Sequence, residues 1–231
     1  ILPCLAKIID RPFDKYAVTI VNVDGVSFEP FSKLLCFAND PQRQTIKAAI
    51  ITDDDRCVDK SNDAQYISKD IDYDCTQQEL NEVVSRLSVG VPSYRYNKIV
   101  ELCRTAHIGV FGAPKTLEYA LASIETNIPY MLSAIIDVHP QVGKTLYNTV
   151  EQLPDVYLKA ACIWLFMRQR SQQKAEVAQA LTKRITDKKI IIKNANNSLE
   201  ESDSMEDFIV PEYIQNAIFS VTKEKTNGNT D

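Results

Sequence analysis

The chain has 231 residues, 45% of them hydrophobic and 25% charged, with a net charge of −5. That length fits one large domain or one domain with an insertion, and the composition is ordinary for a soluble globular protein. No apolar run approaches the ~20 residues a membrane helix needs, no signal peptide is visible, and the negative balance by itself argues against a nucleic-acid binder. The six cysteines, at 4, 36, 57, 75, 103 and 162, form no CxxC and have no histidine at zinc spacing. They read as reduced thiols of a cytoplasmic protein.

Ile1, Leu2, Leu5, Ile8 and Ile9 carry helical spacing from the first residue, and no Met precedes them. The chain reads as cut from something longer, inside a helix. That helix ends near Asp10, before Arg11-Pro12. Tyr16 to Val23 is β-branched and apolar, which predicts a strand, and Asp24-Gly25 turns the chain. A helix is predicted from about Phe28 to Phe37, with Pro30 in its first turn. Asp40-Pro41 breaks it.

Next comes Lys47-Ala48-Ala49-Ile50-Ile51-Thr52-Asp53-Asp54-Asp55-Arg56. A short apolar run that ends in polar residues reads as a buried parallel strand. Strand, helix and strand then form one unit with a right-handed crossover. The end of this strand lies at the carboxyl edge of a sheet, where open α/β folds place ligands. Three adjacent carboxylates repel one another unless a cation neutralises them. Alternation along a strand points Asp53 and Asp55 one way and Asp54 the other. Two same-facing carboxylates make half of a Mg²⁺ site. A solvated acidic turn is the plainer alternative.

Cys57 to Cys75 is polar and without period. Thr76-Gln77-Gln78-Glu79 has the capping-box form, with Leu80, Val83, Val84 and Leu87 behind it. A helix over about Tyr94 to Arg104 leads into a short strand, Ile108 to Phe111, and Gly112-Ala113-Pro114 turns the chain. Lys115-Thr116-Leu117-Glu118 opens another helix, so Glu118 lies in a first turn just past a strand end. The helix dipole alone favours an acid there. From Ile128 to about Arg184 the pattern is helical, punctuated by Pro129, Pro140 and Pro154. Ala160, Ile163, Trp164 and Met167 form an apolar stripe of core character. Arg168 to Lys193 holds eight Lys or Arg against two acids, Glu176 and Asp187. Its Arg168, Arg170 and Lys183 are candidates to meet phosphates, although such a run is more often a solvated helix face. Asn194 to Asp207 is polar and acidic, which predicts a linker or disordered insertion. Phe208 to Ile214 returns to apolar character and starts a last helix. The tail from Lys223 is expected to be disordered.

Three features stand in order: Asp53-x-Asp55-Arg56 at a strand end, Thr116-Leu117-Glu118 after another, and Lys174 opening a late helix. Together they resemble the Toprim domain of the overcoming-lysogenization-defect (OLD) family of endonucleases. The first element is shared with topoisomerases and bacterial primases. Thr116-Leu117-Glu118-Tyr119-x-Leu121-Ala122 and Lys174 to Gln179 are more particular to the OLD family, and Val210-Pro211-Glu212-Tyr213-Ile214 resembles the family's C-terminal helix. No motif matches over Cys57 to Gly90 or Lys188 to Asp207.

The resemblance implies an α/β fold, a Toprim-like core of a small parallel sheet flanked by helices, with a helical insertion and a helical C-terminal part. Residues 1–126 would form the core, with 56–104 partly insertion. Residues 127–187 would be the helical part carrying Lys174, 188–207 a polar linker, and 208–222 a helix returning to the core. The implied activity is Mg²⁺- or Mn²⁺-dependent hydrolysis of DNA phosphodiesters by a two-metal mechanism. Asp53, Asp55 and Glu118 would match metal ligands, and Lys174 the lysine that stabilises charge on the phosphate. Arg56 would contact phosphate or neutralise Asp53 and Asp55. DNA is the implied substrate, phage defence the implied setting, and ATP enters only through an upstream ATP-binding-cassette ATPase domain, which would also carry any homo-oligomer. The family's first motif, a strand ending in Glu-Gly before a helix and Leu-Pro, has no match here, because the chain begins Ile1-Leu2-Pro3. That predicts a missing ligand and weak cleavage.

Other readings stay open on the residues. A topoisomerase would need a catalytic tyrosine that nothing here supplies convincingly. A receiver domain would place its Lys after a strand, whereas Lys174 sits deep in helical sequence. A non-catalytic interaction module would suit the negative charge.

Overall fold

A computed structural model of the chain describes residues 1–23, 28, 30–31, 47–58, 71–104 and 108–223. The fold class is α/β. Helix α1 (Leu2–Ile8) is followed by strand β1 (Ala49–Asp53), α2 (Gln77–Val89), α3 (Tyr94–Arg104), β2 (Gly109–Ala113) and α4 (Leu117–Ala122). Then come α5 (Ile128–Val138), α6 (Pro140–Glu151), α7 (Val156–Gln169) and α8 (Lys174–Asp187). Strands β3 (Lys189–Lys193) and β4 (Leu199–Asp203) and helix α9 (Glu212–Thr222) complete the order.

β1 and β2 pair in parallel, Ala49 opposite Gly109 through Asp53 opposite Ala113. α9 packs against both strands, and α3 against β2. Tyr96 of α3 lies so close to Gly112 that a Cβ there would come within 2.6 Å of the Tyr96 ring. Both strands therefore run toward one edge, and Asp53 and Ala113 end there side by side.

The helical part forms the main core. Every residue of α7 from Ala160 to Met167 is buried, as expected of a helix that is apolar all round. It packs against α2, α4 and α6, while α5 packs against α6 and α8. The predicted capping box is present: Thr76 accepts from the Glu79 N–H and Glu79 accepts from the Thr76 N–H. The proline punctuation also holds, since Pro129 and Pro140 fall in the first turns of α5 and α6. His139 sits at that junction with its ring edge-on to Phe166.

Two expectations fail. Tyr16 to Val23 forms no strand: residues 13–17 make a turn and 18–23 are irregular, with Val21 65% exposed. A strand needs a neighbour's ladder, and none of the described strands pairs with this run. The helix predicted over 28–37 lies largely outside the described residues, as do His107, Cys36 and the tail beyond 223. Asn194 to Asp207 is no linker. It supplies the turn and second strand of an antiparallel hairpin, β3–β4. The Asn194 side chain accepts from the N–H groups of Asn196 and Ser198, and Asn197 takes the left-handed conformation, which Asn tolerates. The hairpin docks on α5 through a bond from the Ile191 N–H to Ser133 Oγ. Its acids answer the basic run: Arg184 bridges Asp137 and Glu201, Lys188 pairs with Asp207, and Lys189 with Asp203. A polar composition here marks a strand pair whose charges are used, not a chain too polar to fold.

Candidate functional site

The site lies where β1 ends. The Asp53 carboxylate accepts the Leu117 N–H at 3.0 Å, so the first residue of α4 clasps the strand tip. Thr116 caps α4, accepting from the Tyr119 N–H. This fixes Glu118, one residue into the helix, near Asp53. Lys174, the first residue of α8, reaches Glu118 Oε1 at 3.0 Å. Three segments more than fifty residues apart thus converge as carboxylate, carboxylate and ammonium. The Glu118 side chain is 16% exposed, and its second oxygen, Oε2, is buried without a hydrogen-bond partner among the described residues.

Burial raises the Asp53 pKa to about 7, with the Glu118 and Asp55 charges adding to the effect and Lys174 and the Leu117 N–H opposing it. Two carboxylates that cannot comfortably ionise together form a site that gains from a cation. Tyr213, in the first turn of α9, completes the surroundings. Its hydroxyl is buried with no partner among the described residues, and its pKa is raised by burial and by the nearby Asp53 and Glu118. Asn127 holds this last segment in place: its amide donates to the carbonyls of Leu121 and Ile209 and accepts the Ile209 N–H.

Asp54 behaves differently. It is 4% exposed and accepts from the Arg56 N–H, from Arg56 Nε and Nη2, and from the Lys115 N–H at 2.8 Å. The Lys115 ammonium, buried, donates to the Arg56 carbonyl and lies over the Trp164 ring, and burial lowers its pKa. Arg56 therefore neutralises Asp54, not Asp53 and Asp55 as expected from sequence. Asp55 departs as well. The strand ends at Asp53, so alternation no longer governs two residues later. Asp55 has φ 43°, in the left-handed region, and its carboxylate pairs with Arg95 at 2.5 Å.

The remaining basic candidates mostly serve packing. Arg168 donates to the Ile71 carbonyl and lies over Trp164, and Arg170 stacks on Phe166 and Tyr73. Lys183 is exposed on α8. Sequence reasoning missed Arg95 and Lys115, which are signalled only by position in unremarkable helix and turn. It assigned Tyr213 to a motif without giving it a place at the carboxylates.

As to a metal, the donor set is of the right kind, hard oxygens with one buried oxygen unused. Among the described residues, however, no group of three or more His, Cys, Asp or Glu side chains is arranged to hold an ion. Asp53 and Glu118 fit as two ligands, and the expected third, Asp55, is engaged elsewhere.

The fold and site define an α/β protein with a small parallel sheet flanked by helices and a carboxylate–lysine cluster at the strand edge. Comparison with known proteins returns no matching family model, no matching curated protein and no matching solved structure. Among the described residues, no helix is long and apolar enough to cross a membrane.

Proposed function

We propose that this chain is the catalytic module of a metal-dependent DNA endonuclease of the OLD class, with a Toprim-like core. The observation that carries the reading is the meeting of Asp53, Glu118 and Lys174 at the carboxyl edge of a parallel strand, where α/β sheets hold their ligands. In this reading Asp53 and Glu118 would hold Mg²⁺ or Mn²⁺, and the ion would supply activation of a water and an offset to phosphate charge. Hydrolysis would join the water oxygen to phosphorus, break the bond to the leaving sugar oxygen and leave that oxygen with a proton from water.

The chain's own groups divide the remaining work. The Leu117 N–H fixes one Asp53 oxygen, Oδ1, and in this reading the other would be the metal ligand. Lys174, with 35% of its side chain exposed, is a compact cation on a flexible stem that can move from Glu118 to the phosphate as charge develops there. Of the basic candidates, Lys183 keeps its charge at the surface for a DNA backbone, while Arg56, Arg168 and Arg170 stabilise the fold. An ATP-binding-cassette ATPase as partner, oligomerisation through that partner and a cytoplasmic setting belong to the same proposal and rest on the resemblance alone.

The test is nicking of supercoiled plasmid in Mn²⁺ by the natural polypeptide that carries this chain. Nicking that disappears in Asp53→Asn and Glu118→Gln supports the reading. Wild-type nicking by either variant removes these carboxylates from the reaction.

A further inference from the structure

Arg95 stands in the first turn of α3, where the helix dipole disfavours a cation. Its Nη2 bridges the Asp55 carboxylate at 2.5 Å and the Asp53 carbonyl at 3.1 Å. Its other terminal nitrogen, Nη1, is buried and has no partner among the described residues. A guanidinium has donors enough to saturate a purely structural seat, and a buried donor left unmade is costly. Asp55 is equally constrained, reached through a left-handed backbone at φ 43° that aims its carboxylate at Arg95. The pair therefore withholds one carboxylate from Asp53 and Glu118 while keeping one half of a planar phosphate-binding fork idle.

We propose that Arg95 is a latch on the third carboxylate: a divalent cation that recruits Asp55 to Asp53 and Glu118 breaks the Asp55–Arg95 pair and frees the guanidinium to bind a phosphate oxygen of the substrate. The proposal rests on the metal-hydrolase reading above and specifies how its site is regulated. Cation and phosphodiester binding are then coupled, because the group that competes with the cation becomes a ligand of the phosphate. Coupling of this kind is reciprocal: DNA tightens the cation and the cation tightens DNA. No covalent step is involved.

The experiment measures Mn²⁺ affinity by calorimetry on the 231-residue chain as wild type, Arg95→Gln, Asp55→Asn and the double variant, and then the affinity of each for a short DNA duplex at saturating Mn²⁺. Arg95→Gln is expected to tighten Mn²⁺ about tenfold by removing the competitor, and to weaken DNA about tenfold by removing the phosphate ligand. Asp55→Asn weakens Mn²⁺, and adding Arg95→Gln to it restores nothing. Equal Mn²⁺ affinity in wild type and Arg95→Gln overturns the latch and leaves the metal site standing. No Mn²⁺ binding by any of the four overturns the metal reading and the latch together. Circular dichroism checks folding. If Arg95→Gln does not fold, Arg95→Met takes its place. Methionine has no donor and no charge to hold Asp55, so it is expected to tighten Mn²⁺ in the same direction, and unchanged affinity overturns the latch.

Discussion

Two charge clusters adjoin at the end of β1, and they are built by opposite rules. Around Asp54 the buried carboxylate is fully used, bonded by Arg56 and by the Lys115 N–H. Around Asp53 buried polar atoms are left over: Glu118 Oε2, the Tyr213 hydroxyl and Arg95 Nη1 have no partners among the described residues. Folding alone drives buried polar groups toward satisfaction. A satisfied cluster is a sufficient account of itself, whereas the proposed cation would supply partners to the cluster of orphans one residue away. Adjacent aspartates in one acidic run thus divide into a group held by Arg56 and Lys115 and a group that we propose is functional.

The division is broken most easily at Asp54. Asp54→Ala leaves Arg56 without its partner and the Lys115 N–H without an acceptor. The expected loss is about 3 kcal/mol, the scale for removing one partner of a buried pair, read by urea denaturation. A loss below about 0.5 kcal/mol would show that the cluster is ornamental.

Lys174 tests the other side. On the proposed nuclease reading, Lys174→Ala is expected to cut single-turnover DNA cleavage roughly 10²–10³-fold, as for loss of one preorganised donor to developing charge. Stability should change within about 0.5 kcal/mol because the side chain is partly exposed. Lys174→Arg should rescue only in part, since a planar guanidinium does not replace a compact ammonium. An unchanged rate for Lys174→Ala would leave the carboxylates without an assigned reaction.

Asp53 gives the comparison a pH signature. Its folded pKa of about 7 lies above the ordinary 3.8, so the folded state holds a proton that the unfolded state has lost. Its contribution is fully present below about pH 4 and is lost as pH rises toward and through 7. Asp53→Asn is therefore expected to stabilise the metal-free protein by about 2 kcal/mol at pH 8 and to change little near pH 4. Denaturation curves at the two pH values check it, and a gain at both or at neither contradicts the burial argument. The smallest effect is expected at Tyr213. Removing an unpartnered buried hydroxyl in Tyr213→Phe should be neutral or stabilising by up to about 1 kcal/mol in thermal denaturation. A clear loss would mean that the hydroxyl has a partner in solution.

Much of this architecture was legible in the sequence where one local rule decided the outcome. Ala48 to Thr52 reads as a buried parallel strand because it is a short apolar run ending in polar residues, and Ile108 to Phe111 reads as a short strand; the structure places them at Ala49–Asp53 and Gly109–Ala113, carrying the second through two residues expected to turn. The capping box at Thr76, the prolines at 129 and 140 and the lysine at 174 marked helix starts that the structure keeps. The convergence of Asp53, Glu118 and Lys174 came from the resemblance, and local rules alone would have left Glu118 as a dipole-favoured acid. What failed depended on tertiary partners. Tyr16 to Val23 has strand composition but no described strand beside it. Residues 194–207 look like linker because their charges are meant for Arg184, Lys188 and Lys189. Asp55 was aligned with Asp53 by a strand alternation that stops two residues before it, and its partner, Arg95, lies forty residues on with no motif to announce it.

The central claim is that the orphaned cluster, and not the satisfied one beside it, binds the cation. Mn²⁺ titration of the folded chain as wild type, Asp53→Asn and Asp54→Asn compares the two with near-isosteric changes one residue apart. The account predicts that Asp53→Asn loses Mn²⁺ binding while Asp54→Asn, though less stable, keeps it. Wild-type Mn²⁺ affinity in Asp53→Asn would contradict it.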